Sequence, residues 1–241
     1  MEPVMIRTIL GEAYDQATEE EYHRVVALVR DYIDKSTGIQ TIIQMQALVE
    51  MTREAGFVPA DQVLDASGYK AIYNDALMEV TNRRIARVRN GELDVADFTV
   101  KGAVDFLREL RQRGLTLYLA SGTDEEDVKN EAQILGYADL FEGGVVGAVG
   151  DVSKYSKKMV IDRIIRDNGL SGPQLITFGD GPVELRETKK RGGVAVGVAS
   201  DEIRRYDLTE EKRTRLIRAG ADLVVPDFSQ RDRLMAYLFP G

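Results

Sequence analysis

"QLITFGDGPVELRETKKRGGVAVGVAS", residues 174–200, sets two short apolar runs, 175–178 and 194–198, on either side of a charged stretch with helix-forming composition. Runs of this length, rich in β-branched residues, suit strands buried on both faces, and a helix between them is the crossover that parallel strands require. The rhythm continues in both directions. Upstream come helix "GAVDFLRELRQRG", strand "LTLYLASG", helix "DEEDVKNEAQILG", short strand "VVGAVG" and helix "KKMVIDRIIRDNGL"; downstream come helix "LTEEKRTRLIRAG" and strand "ADLVVPDF". Residues 99–241 are therefore expected to form an α/β domain around a doubly wound parallel sheet.

Residues 1–98 follow a different pattern and are expected to be helical throughout. "TEEEYHRVVALVRDYIDKSTG" opens with Thr18 as a cap and Glu21 three positions on, "IQTIIQMQALVEMTREAG" stops at Gly56, and "YKAIYNDALMEVTNRRIARVRNG" stops at Gly91. The boundary near "VADFTVKG" is marked only by the change in pattern.

Composition removes several function classes. At 241 residues and 44% hydrophobic, the chain can bury a full core. No apolar run approaches the ~18 residues that span a bilayer, and the N-terminus lacks the basic flank and long apolar region of a signal peptide. The absence of cysteine excludes disulfides, thiolate metal sites and cysteine nucleophiles, and fits a cytoplasmic setting. A net charge of −8 argues against general binding to nucleic acid or anionic membranes. The single histidine, His23, lies beside the packed face of a helix and is expected at the surface, which excludes histidine triads and histidine metal clusters. Arg83, Arg84 and Arg87, and the mixed charges of "LTEEKRTRLIR", read most simply as exposed helix faces.

In open α/β sheets, ligands collect beyond the carboxyl ends of the strands. After "LTLYLA" stands Ser121, followed by Gly122, with Thr123 and Glu126 spaced as a capping box for the next helix. A hydroxyl and open backbone N–H groups at a helix N-terminus suit a phosphate oxygen; taken alone, the segment serves equally as a strand-to-helix turn. In "SKYSKKMVIDRI", Lys157 and Lys158 open a helix against its dipole, a placement explained if one of them faces an anion. After "LITF", Asp180 stands at a strand tip with Glu184 one helical turn further, so both carboxylates can address one spot. Oxygen donors without histidine or cysteine suit a hard cation, Mg²⁺ above all when a phosphate completes its shell.

The order of these features, a Ser tip, a Lys and an Asp with an acidic residue four on, resembles the haloacid dehalogenase superfamily of phosphatases and phosphomutases. "LYLASGT" is similar to its second motif, "SKKMVIDRI" to its third and "ITFGDGPVE" to its fourth, across residues 99–227. The helical first part is similar to the cap of phosphoglycolate phosphatase and β-phosphoglucomutase relatives. The resemblance implies that Ser121 and Gly122 bind a transferring phosphoryl group, that Lys157 or Lys158 neutralises it, and that Asp180 and Glu184 hold Mg²⁺. It further implies a small phosphorylated substrate selected by the cap.

The family's first motif, an apolar strand ending in Asp-x-Asp, supplies the nucleophile and the general acid. No Asp-x-Asp occurs in the chain; the nearest spacing, Asp94 and Asp97 in "LDVADFT", follows no apolar strand. The family sets that strand mid-sheet, between those ending at Ser121 and Asp180, so its absence is expected to leave two strand edges unpaired. The leading expectation is a phosphatase acting through an aspartyl-phosphate whose nucleophile strand lies upstream of Met1. The alternatives are an inactive phosphate- and Mg²⁺-binding module, or the C-terminal part of a larger fusion.

Overall fold

The computed structural model describes residues 1–149 and 155–240 and divides into two units, Met1–Ala86 and Arg87–Gly241. The first carries α1 (Glu2–Leu10), α2 (Glu19–Ser36), α3 (Thr41–Ala55) and most of α4 (Ala66–Arg89). Thr18 begins α2 through the expected box: Glu21 N donates to Thr18 Oγ1 at 3.3 Å, and Thr18 N donates to Glu21 Oε2 at 2.9 Å. Gly56 closes α3 in the left-handed conformation that a residue without Cβ adopts at no steric cost. Met5, Ile9, Leu10, Val29, Met45 and Leu48 lose all or nearly all exposure and form the core of this unit. His23 is exposed, as expected.

The second unit continues with α5 (Ala103–Gln112), β1 (Tyr118–Asp124), α6 (Glu125–Ile134), β2 (Gly144–Ala148), α7 (Lys157–Asp167), β3 (Ile176–Gly179), α8 (Pro182–Lys190), β4 (Val194–Val198), α9 (Glu210–Arg218), β5 (Leu223–Val225) and α10 (Arg231–Leu238). Among the described residues all pairings between these strands are parallel, as the alternation predicts. The unit boundary falls earlier than the 98/99 change of pattern. Residues after Arg89 are held to the α/β unit by the 200–208 loop: Arg205 donates through its guanidinium to Asp97 O, and Lys101 N donates to Arg205 O at 2.9 Å.

The strands form two ladders. β1 pairs with β2, in the register Tyr118↔Gly144 to Ala120↔Val146, and β3, β4 and β5 form a second sheet in that order. Among the described residues β1 and β3 exchange no ladder hydrogen bonds, yet their flanking layers are continuous. Leu117 and Phe178 belong to one hydrophobic cluster, centred on Phe106, Leu110 and Met235; Tyr118, Ala120 and Leu175 pack into another, around Tyr155, Val160 and Ile164. The apolar surface thus closes above and below a line at which hydrogen bonding stops.

One local expectation is corrected. Thr123 does not cap α6; it lies within β1, which runs on to Asp124 past an irregular register, and Asp124 takes the cap position, its side chain making no capping hydrogen bond to the helix. The strand runs on because Asp124 still finds a partner in Ala148 of β2.

Candidate functional site

The residues that the sequence singled out lie within β1 (Ser121 and Gly122), in the first turn of α7 (Lys157 and Lys158), just after β3 (Asp180) and in the first turn of α8 (Glu184). Ser121 stands on β1, where its Oγ accepts a hydrogen bond from Thr123 N at 3.2 Å. The hydroxyl proton is thereby left to be donated elsewhere, to a ligand oxygen for example. The main-chain oxygen of Ser121 accepts a hydrogen bond from the hydroxyl of Tyr155, a buried residue two positions before Lys157. Burial, with the charges of Glu184 and Glu125 nearby, pushes the Tyr155 phenol up to about 12, so it remains a donor.

Ser156 caps α7 by accepting from Met159 N at 3.1 Å, which fixes the helix start and places two lysines in its first turn. They part company there. Lys157 turns inward, its Nζ 2.9 Å from Glu184 Oε2, whereas Lys158 reaches along the surface to Asp162 Oδ2 at 3.0 Å. Of the two candidates, Lys157 is therefore the one at the strand ends. α7 is fastened to the end of α8 through Arg191, which bonds Asp162 and Glu187 and holds the Asp162 carboxyl well below the usual carboxylate range.

Asp180 and Glu184 occupy the turn after β3 with different surroundings. Glu184 folds back, its Oε1 accepting from Gly181 N at 3.1 Å, so it completes the cap of α8. That return is possible because residue 179 is glycine: a Cβ there would lie 2.5 Å from Glu184 Oε1. Thr188 Oγ1 donates to Thr177 Oγ1 at 2.7 Å and seats α8 on β3. Asp180 stays half exposed, with its Oδ2 3.8 Å from Lys212 Nζ and its main-chain oxygen accepting from Arg215 Nη2 at 3.2 Å. Gly122 lies beside Ser121 on β1 and is half-buried.

Sequence reasoning missed three contributors. Tyr155 had no motif, only an aromatic side chain directly before a helix cap. Lys212 and Arg215 lie in the stretch expected to be an exposed helix face; Lys212 is buried, because α9 turns this side chain toward the strand ends and not to solvent. The three-residue spacing of Lys212 and Arg215 was the available signal, since it puts both cations on one helix face. Arg83, Arg84 and Arg87 are exposed on α4.

Lys157 and Glu184 meet in one pair, while Asp180 faces Lys212 and Ser121 is tied to Tyr155. Among the described residues no group of three or more His, Cys, Asp or Glu could hold a metal ion. Two carboxylates fit Mg²⁺ only where waters and substrate oxygens complete the octahedron, which is that ion's usual mode.

The sequence pattern of the haloacid dehalogenase-like hydrolase family matches residues 6–187. The chain belongs to this family. No curated protein matches it. Among solved structures, a predicted phosphatase from Clostridium acetobutylicum is 16% identical, with a TM-score of 0.58 over 98% of this chain and 92% of that one. A β-phosphoglucomutase from Clostridium difficile is 13% identical at a TM-score of 0.58, covering 98% and 90% of the two chains. A predicted phosphoglycolate phosphatase from Haemophilus somnus 129PT is 13% identical at 0.57, covering 97% and 91%. The haloacid dehalogenase-like α/β fold is common to all of them. The matched span includes Ser121, Lys157, Asp180 and Glu184 but ends before α9, so Lys212 and Arg215 lie beyond it.

Proposed function

We propose that this haloacid dehalogenase-like chain is built for Mg²⁺-dependent hydrolysis of a small phosphorylated metabolite in the cytoplasm. Ser121 and the Gly122 backbone would bind the phosphoryl group, Lys157 would neutralise it, and Asp180 with Glu184 would hold Mg²⁺. The observation that carries this reading is the inward turn of Lys157. A lysine buried at a helix N-terminus opposes the dipole, and its partner Glu184 can be exchanged for a phosphate when Glu184 takes a cation. Bound there, Mg²⁺ would supply charge stabilisation for the transferring phosphoryl oxygens. Within the chain, the Ser121 hydroxyl donates a hydrogen bond to a phosphoryl oxygen, Tyr155 holds β1 in place at Ser121, and Gly181 N keeps Glu184 oriented. Substrate choice would fall to the helical unit, acting as a cap.

The covalent step needs a carboxylate nucleophile that no Asp-x-Asp in these residues supplies. We infer that an apolar strand ending in Asp-x-Asp, from outside these residues, completes the site between β1 and β3. The interruption of the sheet at that line supports this. The test is a panel of phosphate monoesters assayed with and without Mg²⁺ on the 241-residue chain and on a chain extended upstream, each with Asp180→Ala. Turnover is expected only in the extended chain, and only with Mg²⁺ and Asp180. Hydrolysis by the unextended chain would overturn the nucleophile assignment, and a rate indifferent to Asp180→Ala would overturn the metal assignment. Phosphate and Mg²⁺ binding without turnover in both chains would favour an inactive binding module.

A further inference from the structure

The strongest unexplained feature of the α/β unit is a buried ammonium group that the family's resemblance motifs do not include. Lys212 Nζ donates to Ser200 O at 3.0 Å, pairs with the Glu202 carboxylate, and lies 3.8 Å from Asp180 Oδ2. Its side chain is 10% exposed, while Asp180 is 54% and Glu202 75% exposed. A lysine is seldom buried without a compensating partner, and here the compensation is divided among three oxygens. One turn along α9, Arg215 fixes the main-chain oxygen of the same aspartate. α9 therefore grips Asp180 at both backbone and side chain.

We propose that Lys212 is a positioning residue for Asp180: a resident counter-cation that holds the carboxylate at the strand end and sets how tightly it takes a divalent cation. This rests on the reading of Asp180 as a cation ligand. Lys212 is anchored on Ser200 O and Glu202, so it does not depart when a divalent cation arrives at Asp180. Its positive charge then opposes the incoming ion, and Glu202 offsets part of that charge. The affinity of Asp180 for Mg²⁺ is thus adjusted by a neighbouring Lys–Glu pair that touches neither the metal nor the substrate.

The two partners are expected to act in opposite directions, which a merely structural role would not produce. Mg²⁺ binding to the full chain, measured by calorimetry at low ionic strength, should tighten in Lys212→Met by roughly ten-fold, the scale of removing a unit charge about 6 Å from a divalent ion in a water-like medium. Glu202→Gln, a change at an exposed carboxylate, should weaken it by roughly two-fold because Lys212 is then less neutralised. Lys212→Arg should restore the wild-type affinity, and Lys212→Gln, which keeps a donor for Ser200 O, repeats the charge test should Lys212→Met unfold. Asp180→Asn separates the two readings. If it leaves Mg²⁺ binding intact, the cation assignment fails and the proposal with it. If it abolishes binding while Lys212→Met and Lys212→Gln bind as wild type or more weakly, Lys212 has no such role.

Discussion

Lys157 Nζ lies 2.9 Å from Glu184 Oε2, and the two side chains, on different helices, are 12% and 7% exposed. A buried pair of this kind is worth little against two apolar groups but much against its own half-removal, because the remaining charge is left without compensation. Lys157→Met should therefore destabilise the fold by about 3 kcal/mol. Glu184→Gln should cost less, about 1 kcal/mol, because a glutamine can still accept from Gly181 N and a lysine in a first helical turn can reach water. Lys158→Met, at the exposed pair with Asp162, should change stability by less than about 0.5 kcal/mol. Urea unfolding followed by circular dichroism measures all three. Equal effects at 157 and 158 would show that the inward lysine has been misidentified.

The same carboxylate explains one glycine. A Cβ on residue 179 would stand 2.5 Å from Glu184 Oε1, an oxygen already held by Gly181 N, so it cannot swing away freely. Gly179→Ala should cost about 2 kcal/mol in the wild-type background. In a Glu184→Ala background the obstacle is gone and the penalty should largely vanish, a coupling that a double-mutant cycle reads directly. Additive penalties would exclude the close approach as the cause.

Residues that follow a local rule were legible in the sequence. Thr18 and Glu21 cap α2 because the box needs only those side chains at that spacing, and the parallel strands at 118–124, 176–179 and 194–198 follow from short apolar runs between helical stretches. Lys157, Asp180 and Glu184 could be named because each stands just past a strand end or in the first turn of the next helix, and Ser121 because it follows an apolar run, although β1 continues past it to Asp124 and it is no strand tip. What could not be read depends on contacts between elements distant in sequence. Tyr155 reaches Ser121 across 34 positions and Arg215 reaches Asp180 across 35, so nothing in either local pattern announces them. Thr123 misled because a capping box is a local rule, and pairing with β2 extended the strand through it.

Tyr155 links site geometry to pH. Its phenol is pushed up to about 12 by burial and by Glu184 and Glu125, above the value of 10 expected once unfolded. A folded-state value raised in this way means stability that is fully present below pH 10 and lost as pH rises toward 12. Tyr155→Phe removes the titrating group, so the stability gap between wild type and variant should be constant from pH 7 to pH 9 and should shrink above pH 10. Urea midpoints collected from pH 7 to 11.5 test this; a gap that stays constant or widens above pH 10 would falsify the assignment. Tyr137, also pushed up to about 12 by burial, contributes to the alkaline loss in both proteins and cancels in the difference.

The line between β1 and β3 should show itself in hydrogen exchange. In a parallel sheet, the N–H and C=O groups of alternate residues point to opposite neighbours, so a strand paired on one side only protects half its amides. β1 has β2 on one side and β3 has β4, and among the described residues neither has a ladder partner on the other. The apolar layers nonetheless continue across the line, with Leu117 and Phe178 in one cluster and Tyr118, Ala120 and Leu175 in the other, so the two edges are held at a shared seam, not splayed into solvent. Exchange measured residue by residue on the 241-residue chain should alternate along Tyr118–Ala120 and Ile176–Gly179, with the unpaired set faster by on the order of 100-fold. A chain extended upstream by a strand-forming segment should slow the fast set and leave the slow set unchanged. Uniform protection in the unextended chain would mean that the edges are already covered, and the case for an inserted nucleophile strand would lose its structural support. Fast exchange that the extended chain does not slow would mean that the added segment docks elsewhere, and the aspartate it carries would then stand outside the reach of Ser121 and Lys157.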